Sequence, residues 1–188
     1  MQDATLRAQP IDLANLQTVL LPGEVVLEYV LADPRSFCLA VDQRQAVIIA
    51  LPAGGAEISE ATARYLGQIE ADKHDDEGAR KLFDLLLGPV LQLTQITRLT
   101  IVPDATLWRL PMETLRGPDG SYVLQSHTVS YVPSSTVLYY LRTLRRPVEP
   151  QMAFLGIGAV PYDLEPKETA AGQRIMRCLL YTSDAADE

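Results

Sequence analysis

Apolar residues along this chain keep changing their spacing, and each change predicts a new element. In residues 11–21, IDLANLQTVLL, the apolar positions Ile11, Leu13, Leu16 and Leu20 fit a brief helix, with Asp12 as N-cap and Pro22-Gly23 as its end. Three short runs follow: EVVLEYVLA, SFCLAV and QAVIIAL. Asp33-Pro34-Arg35 and Asp42-Gln43-Arg44 separate them, and β-branched residues are concentrated inside them. This pattern predicts an antiparallel meander. The period then becomes helical at Ile58, Ala61, Tyr65 and Ile69, with Glu57 and Glu60 in the first turn. After the charged loop KHDDEG, Leu82, Leu85, Leu86 and Leu93 continue a second helical pattern that Gly88-Pro89 should bend or split.

Residues 98–102, RLTIV, predict a buried strand. The alternation of Val129 and Tyr131 with polar neighbours predicts that 128–132 pairs as a hairpin with 122–124. Pro133-Ser134-Ser135 opens a helix with a Ser cap and apolar positions at Val137, Leu138, Leu141 and Leu144. Arg142, Arg145 and Arg146 lie towards its C-terminus, where they suit the helix dipole. MAFLGIGA, after the Pro147–Pro150 linker, reads as a strand covered on both faces. Buried strand, helix and buried strand in succession point to an α/β core.

The densest stretch is LTIVPDATLWRLPMETL, residues 99–115. Here Pro103-Asp104 suits the centre of a tight turn. Leu107, Trp108 and Leu110 should dock back on the core. Pro111 should open a short helix that buries Met112 and Leu115. Trp108 is expected as the largest anchor, so that its loss to Ala would cost about 3–5 kcal/mol.

Composition narrows the function more than the fold. The 188 residues suffice for one domain with a proper core. A net charge of −8 argues against nucleic acid or an anionic membrane surface as partner, since both favour a basic face. No apolar run reaches the roughly 20 residues of a spanning helix. The N-terminus, MQDATLRAQPID, has no signal-peptide pattern. Two cysteines do not make a disulfide framework, and a cytoplasmic setting is the default.

Candidate chemistry is sparse. Cys38, inside SFCLAV, reads as a structural thiol. His74, in DKHDDE, reads as solvated surface, and His127 as a turn histidine at the expected hairpin. The histidines are not at ligand spacing and no C-x-x-C occurs, so no zinc site is supported. Ser121, Ser126, Ser134 and Ser135 read as turn and cap residues without a nucleophile elbow. Gly156-x-Gly158 lacks the rest of a dinucleotide fingerprint, with Pro161 at the third glycine position.

The last eleven residues, CLLYTSDAADE (178–188), resemble the translation of a transposon-end adapter used to build sequencing libraries, and are read as a non-native tail. The tail holds Asp184, Asp187, Glu188 and no Lys or Arg, so residues 1–177 carry −5 of the −8. Cys178 then drops out as a nucleophile. Residues 1–10 read as a linker or the end of an upstream region.

Four segments stand in order: LLPGEVVLEYVLADPRSFCLAV, IVPDATLWRLPMETL, YVLQSHTVSYVPSSTVLYYL and MAFLGIGAVPYD. Together they resemble the first part of a CHAT domain, a caspase-like module often found with tetratricopeptide repeats. The resemblance covers residues 19–163, with IVPD-x-x-L-x-x-LP-x-x-x-L as its most specific element. One departure is Met112, where many relatives carry an aromatic. Residues 11–177 would be the N-terminal part of such a domain. The resemblance implies an α/β fold: a caspase- or separase-like three-layer sandwich, incomplete here, with the antiparallel meander at its N-terminal end.

The resemblance also implies a bacterial cysteine peptidase acting on protein or peptide substrates, with tetratricopeptide repeats upstream and no metal or organic cofactor. The family's catalysts, a His followed by Gly and a Cys after the next strand, lie beyond the strand equivalent to MAFLGIGA. No catalytic, cofactor-binding or metal residue carries over to this chain. The alternatives are a catalytically dead CHAT-like interaction or regulatory module, and an unrelated α/β domain.

Overall fold

The computed structural model describes residues 10–91 and 96–143. Helix α1 (Leu13–Val19) starts where Asp12 Oδ1 accepts from the Asn15 N–H at 2.7 Å, the cap read from the sequence. Strands β1 (Glu24–Val30), β2 (Phe37–Val41) and β3 (Ala46–Ala50) form the expected antiparallel meander. Asp42 closes its second turn. Its Oδ1 accepts from the N–H groups of Arg44 and Gln45, while its own N–H donates to the Gln45 carbonyl.

Three helices then return the chain across the sheet: α2 (Gly55–Glu70), α3 (Asp76–Leu86) and α4 (Gly88–Leu91). The start of α2 abuts the β1–β2 loop. A Cβ on Gly54 would lie 2.6 Å from Asp33 Oδ1 and 2.9 Å from the Pro34 carbonyl oxygen, so glycine is what allows the approach. The helical pattern breaks before Gly88-Pro89, as predicted. Leu93, the last position of that pattern, lies outside the described residues.

Strand β4 (Arg98–Val102) lies beside β1 and parallel to it, and β5 (Thr128–Tyr131) lies parallel to β4. The five-stranded mixed sheet has the order β3-β2-β1-β4-β5. The hairpin expected at 122–132 is not formed. Its first half is a short helix, α5 (Val123–Ser126), closed by Gln125 Oε1 accepting from the Tyr122 N–H at 2.8 Å. Its second half finds a remote partner, with Val129 opposite Leu99 and Tyr131 opposite Ile101. Alternation identifies a strand but does not say which strand it pairs with, and here β4 is the better-buried template. The strand expected at MAFLGIGA lies outside the described residues. Its expected place directly beside 98–102 is not open, because β1 and β5 already occupy the two edges of β4.

Side chains alternate across the sheet and feed two cores. Val25, Leu27, Tyr29, Cys38, Ala40, Leu99 and Ile101 meet Ile58 and Tyr65 of α2 and Leu82 and Leu86 of α3. On the opposite face Val26, Val41 and Val102 meet Leu16 of α1, Leu20, and Leu138 of α6 (Ser135–Thr143). The described residues therefore form an α/β fold with helices on both faces of a mixed sheet, consistent with the caspase-like arrangement that the motifs imply. Two apolar positions of the helical patterns, Ile69 and Leu141, are exposed rather than packed.

The 99–115 stretch folds back on the larger core, by a different route from the one expected. Asp104 is extended (φ −117°, ψ 148°), and the chain turns at Ala105, whose φ is +46°. Asp104 Oδ2 instead accepts from the Leu31 N–H at 2.8 Å and so ties the end of β4 to the end of β1. Ala105–Arg109 is a 3-10 turn. With about three residues per turn, Leu107 and Leu110 share its inner side and Trp108 faces out. Leu107, Leu110, Met112 and Leu115 are buried, while Trp108 is 52% exposed, so the anchor expected at Trp108 is supplied by the leucines. Pro111 precedes the second 3-10 turn, Met112–Thr114, rather than opening it from within.

Candidate functional site

Thiol catalysis needs a thiolate and an imidazole in contact. Cys38 is the second residue of β2, fully buried on the α2–α4 side. Burial pushes its thiol up to about 12, and the nearby Glu28 charge acts in the same direction against the opposing Tyr29 hydrogen bond. A thiol held protonated inside a core packs as an apolar group. This is the structural cysteine expected from the sequence. His74 lies exposed between α2 and α3, also as expected. His127 is half-buried between α5 and β5, at a helix-to-strand junction rather than a hairpin. β2 and β5 are three strand spacings apart in the sheet, roughly 14 Å at about 4.8 Å each. Cys38 and His127 therefore cannot meet.

His127 opens onto a cleft of about 530 Å³ with Phe83, Leu91 and Val123 among its apolar lining and Asp84 and Asp119 among its polar lining. Two arginines fix its rim, the loop 116–122. Arg116 donates to Asp76 Oδ1 at 2.7 Å and to the Gly120 carbonyl at 2.6 Å, and its guanidinium stacks 4.1 Å above the Tyr122 ring. Arg80 donates to the Gly117 and Pro118 carbonyls at 3.3 and 3.1 Å and contacts Asp84. Within the loop, Asp119 Oδ1 accepts from the Ser121 hydroxyl at 2.7 Å and the Ser121 N–H at 2.9 Å, and these bonds hold its carboxyl below the usual value.

The Ser126 hydroxyl lies 2.8 Å from His127 Nδ1. Among the described residues no carboxylate bonds the other ring nitrogen, the position from which a third group orients a catalytic base. The remaining serines behave as caps and ties. Ser134 Oγ accepts from the Val137 N–H at 3.1 Å, and Ser135 Oγ donates to Glu28. No three His, Cys, Asp or Glu side chains among the described residues come together as a metal cage. None of the described helices is long and apolar enough to cross a membrane.

The most elaborate electrostatic feature is one that the sequence reading missed. Glu24 is buried on the α1/α6 face. Its carboxylate takes two 2.7 Å bonds from the Arg142 guanidinium and one from the Leu21 N–H at 2.7 Å, and it also accepts from the Thr100 hydroxyl. Burial alone would raise its pKa, but the Arg142, Leu21 and Thr100 bonds outweigh burial and hold the carboxyl below its usual value. Arg142 also donates to the Val19 carbonyl at 2.8 Å, so it does more than complement the dipole. The available signal was an acidic residue opening an apolar run directly after Pro22-Gly23. A second tie is Tyr131, whose hydroxyl donates to Glu113 Oε2 at 2.6 Å and accepts from the Met112 N–H at 2.8 Å. It fastens β5 to the turn after β4.

The model of one protein family, the CHAT domain, matches residues 76–173, just over half of the 188 residues. The match takes in α3, α4, the whole 99–115 stretch, β5 and α6. No curated protein matches the chain.

Proposed function

The chain belongs to the CHAT-domain family, and from that premise we propose that it supplies the scaffold part of a caspase-like cysteine peptidase domain, not its chemistry. In the intact domain the reaction is hydrolysis of a peptide bond in a protein or peptide substrate. A histidine activates a cysteine and backbone N–H groups hold the oxyanion, with tetratricopeptide repeats upstream as the sensing partner. The observation that carries this reading is Cys38, a thiol protonated at neutral pH inside the core and three strands away from the half-buried imidazole. Chemistry in open α/β sheets collects beyond the carboxyl ends of parallel strands. In β1 and β4 those ends are occupied by structural ties such as Asp104 to Leu31.

Fluorogenic peptides, including ones with Arg or Lys before the scissile bond, test the proposal. The purified chain is expected to release no fluorophore above buffer. Release that disappears when either cysteine is replaced by serine would overturn it.

A second reading is a catalytically inert regulatory platform. The observation that favours it is Trp108, the only tryptophan, half-exposed on the turn after β4. On that reading Trp108→Ala leaves folding intact and abolishes partner binding, with the indole emission reporting the contact. A partner bound equally by the variant would remove this reading.

A further inference from the structure

Among the described residues β3 is the outermost strand on its side of the sheet. Natural edge strands are guarded by charges, prolines or bulges. Ala46-Val47-Ile48-Ile49-Ala50 has none. The inner hydrogen bonds fix which groups remain on the outer edge. Leu51 N–H donates to the Ser36 carbonyl, and Asp42 N–H donates to the Gln45 carbonyl. With β2 and β3 registered from Phe37 opposite Ala50 to Val41 opposite Ala46, the bonded pairs include Cys38 with Ile49 and Ala40 with Val47. The N–H and C=O groups of Ala46, Ile48 and Ala50 therefore point away from β2. Ile48 is 72% exposed.

The strand also reads almost the same in both directions about Ile48: Ala46 mirrors Ala50, and Val47 mirrors Ile49. We propose that this edge is a homodimerisation surface, where β3 of a second copy of this chain pairs antiparallel with β3 about a two-fold axis at Ile48. The facing pairs formed by Ala46, Ile48 and Ala50 each exchange two backbone hydrogen bonds, and the intervening Val47–Ile49 pairs exchange none. Ile48 faces its own counterpart, and Ala46 faces Ala50 on either side of it.

The register leaves the small alanines flanking the two isoleucine side chains. It also keeps like charges apart, because Arg44 falls opposite Pro52 of the other copy. The two Arg44 residues then sit at opposite ends of the paired strands, about 26 Å apart at ~3.3 Å per residue. Any extended peptide could fill the outer hydrogen bonds, but only a second copy also exploits the mirror symmetry. The contact is isologous, so it closes at a dimer and does not propagate.

Sedimentation equilibrium of the full chain, run over a wide range of loading concentrations, tests the proposal. A reversible monomer–dimer equilibrium is expected. Ile48→Lys places two ammonium groups together at the axis and should weaken the dimer about tenfold or more. Ala50→Pro removes only an outward N–H and should weaken it as well. Both variants should melt as the unaltered chain does at concentrations where it is monomeric. A chain that stays monomeric throughout would overturn the proposal, and so would an oligomer of any size that neither substitution weakens.

Discussion

The two faces of the sheet are closed in different ways. Beneath α2, α3 and α4, rows from β1, β2 and β4 meet a broad set of leucines, and the 99–115 stretch adds Leu107, Leu110, Met112 and Leu115 to the same core. Beneath α1 and α6 the apolar cluster is smaller. There β1 offers two carboxylates, Glu24 to Arg142 near one end of α6 and Glu28 to Ser135 at the other. Four strand residues span about 13 Å and seven helix residues about 10 Å, so the two ties fit one helix lying along β1. Apolar burial is non-directional and gives the first face its stability. Hydrogen bonds to carboxylates are directional, and on the second face the two of them fix where α6 lies.

Mutations can break this contrast. The largest effect is expected at Leu86, fully buried on the broad face. Leu86→Ala should cost about 3–4 kcal/mol in chemical denaturation, more than Leu138→Ala on the narrow face. The reverse order would dissolve the distinction.

Next comes Arg142→Ala, which leaves Glu24 buried without its cation. About 2–3 kcal/mol is expected, below the range for a fully buried pair because the Arg142 side chain is 26% exposed. Adding Glu24→Gln to that variant should recover part of the loss.

Acid should act on the same face. The folded-state pKa of Glu24 lies below its ordinary, unfolded value. Its contribution is therefore complete above the usual carboxylate range and is lost as pH falls through the folded value. Melting curves below about pH 4 should show this loss, and Glu24→Gln should flatten it. An equally steep acid loss in the variant would place the effect elsewhere.

The smallest effect is expected at Trp108, where replacement by Ala should cost about 1–2 kcal/mol because half the side chain is already in water. Differential scanning calorimetry of the variant decides this against the 3–5 kcal/mol that a buried anchor would cost.

What could be read from the sequence was what local period and turn chemistry control. The meander, the Asp12 cap, α2, the break at Gly88-Pro89 and the strand at 98–102 all follow from spacing within a dozen residues. Features that depend on distant partners could not be read. Tyr131 pairs with Ile101, not with a hairpin mate, and Arg142 reaches Glu24 across more than a hundred residues. Trp108 departs from expectation for a different reason. Hydrophobic size suggested an anchor, but a 3-10 turn places Leu107 and Leu110 on the inside and turns the residue between them outward. The candidate site had no local motif to announce it. The cleft beside His127 depends on Arg80 and Arg116 pinning a loop.

The central claim, that this part of a CHAT domain is scaffold and not catalyst, is tested most directly at Cys38. The measurement is its alkylation rate in the native chain as a function of pH, with peptide mapping to separate it from Cys178. The account predicts no modification of Cys38 at neutral pH until denaturant unfolds the core. Rapid native-state alkylation, with a midpoint near or below pH 7, would reveal an activated thiolate and contradict it.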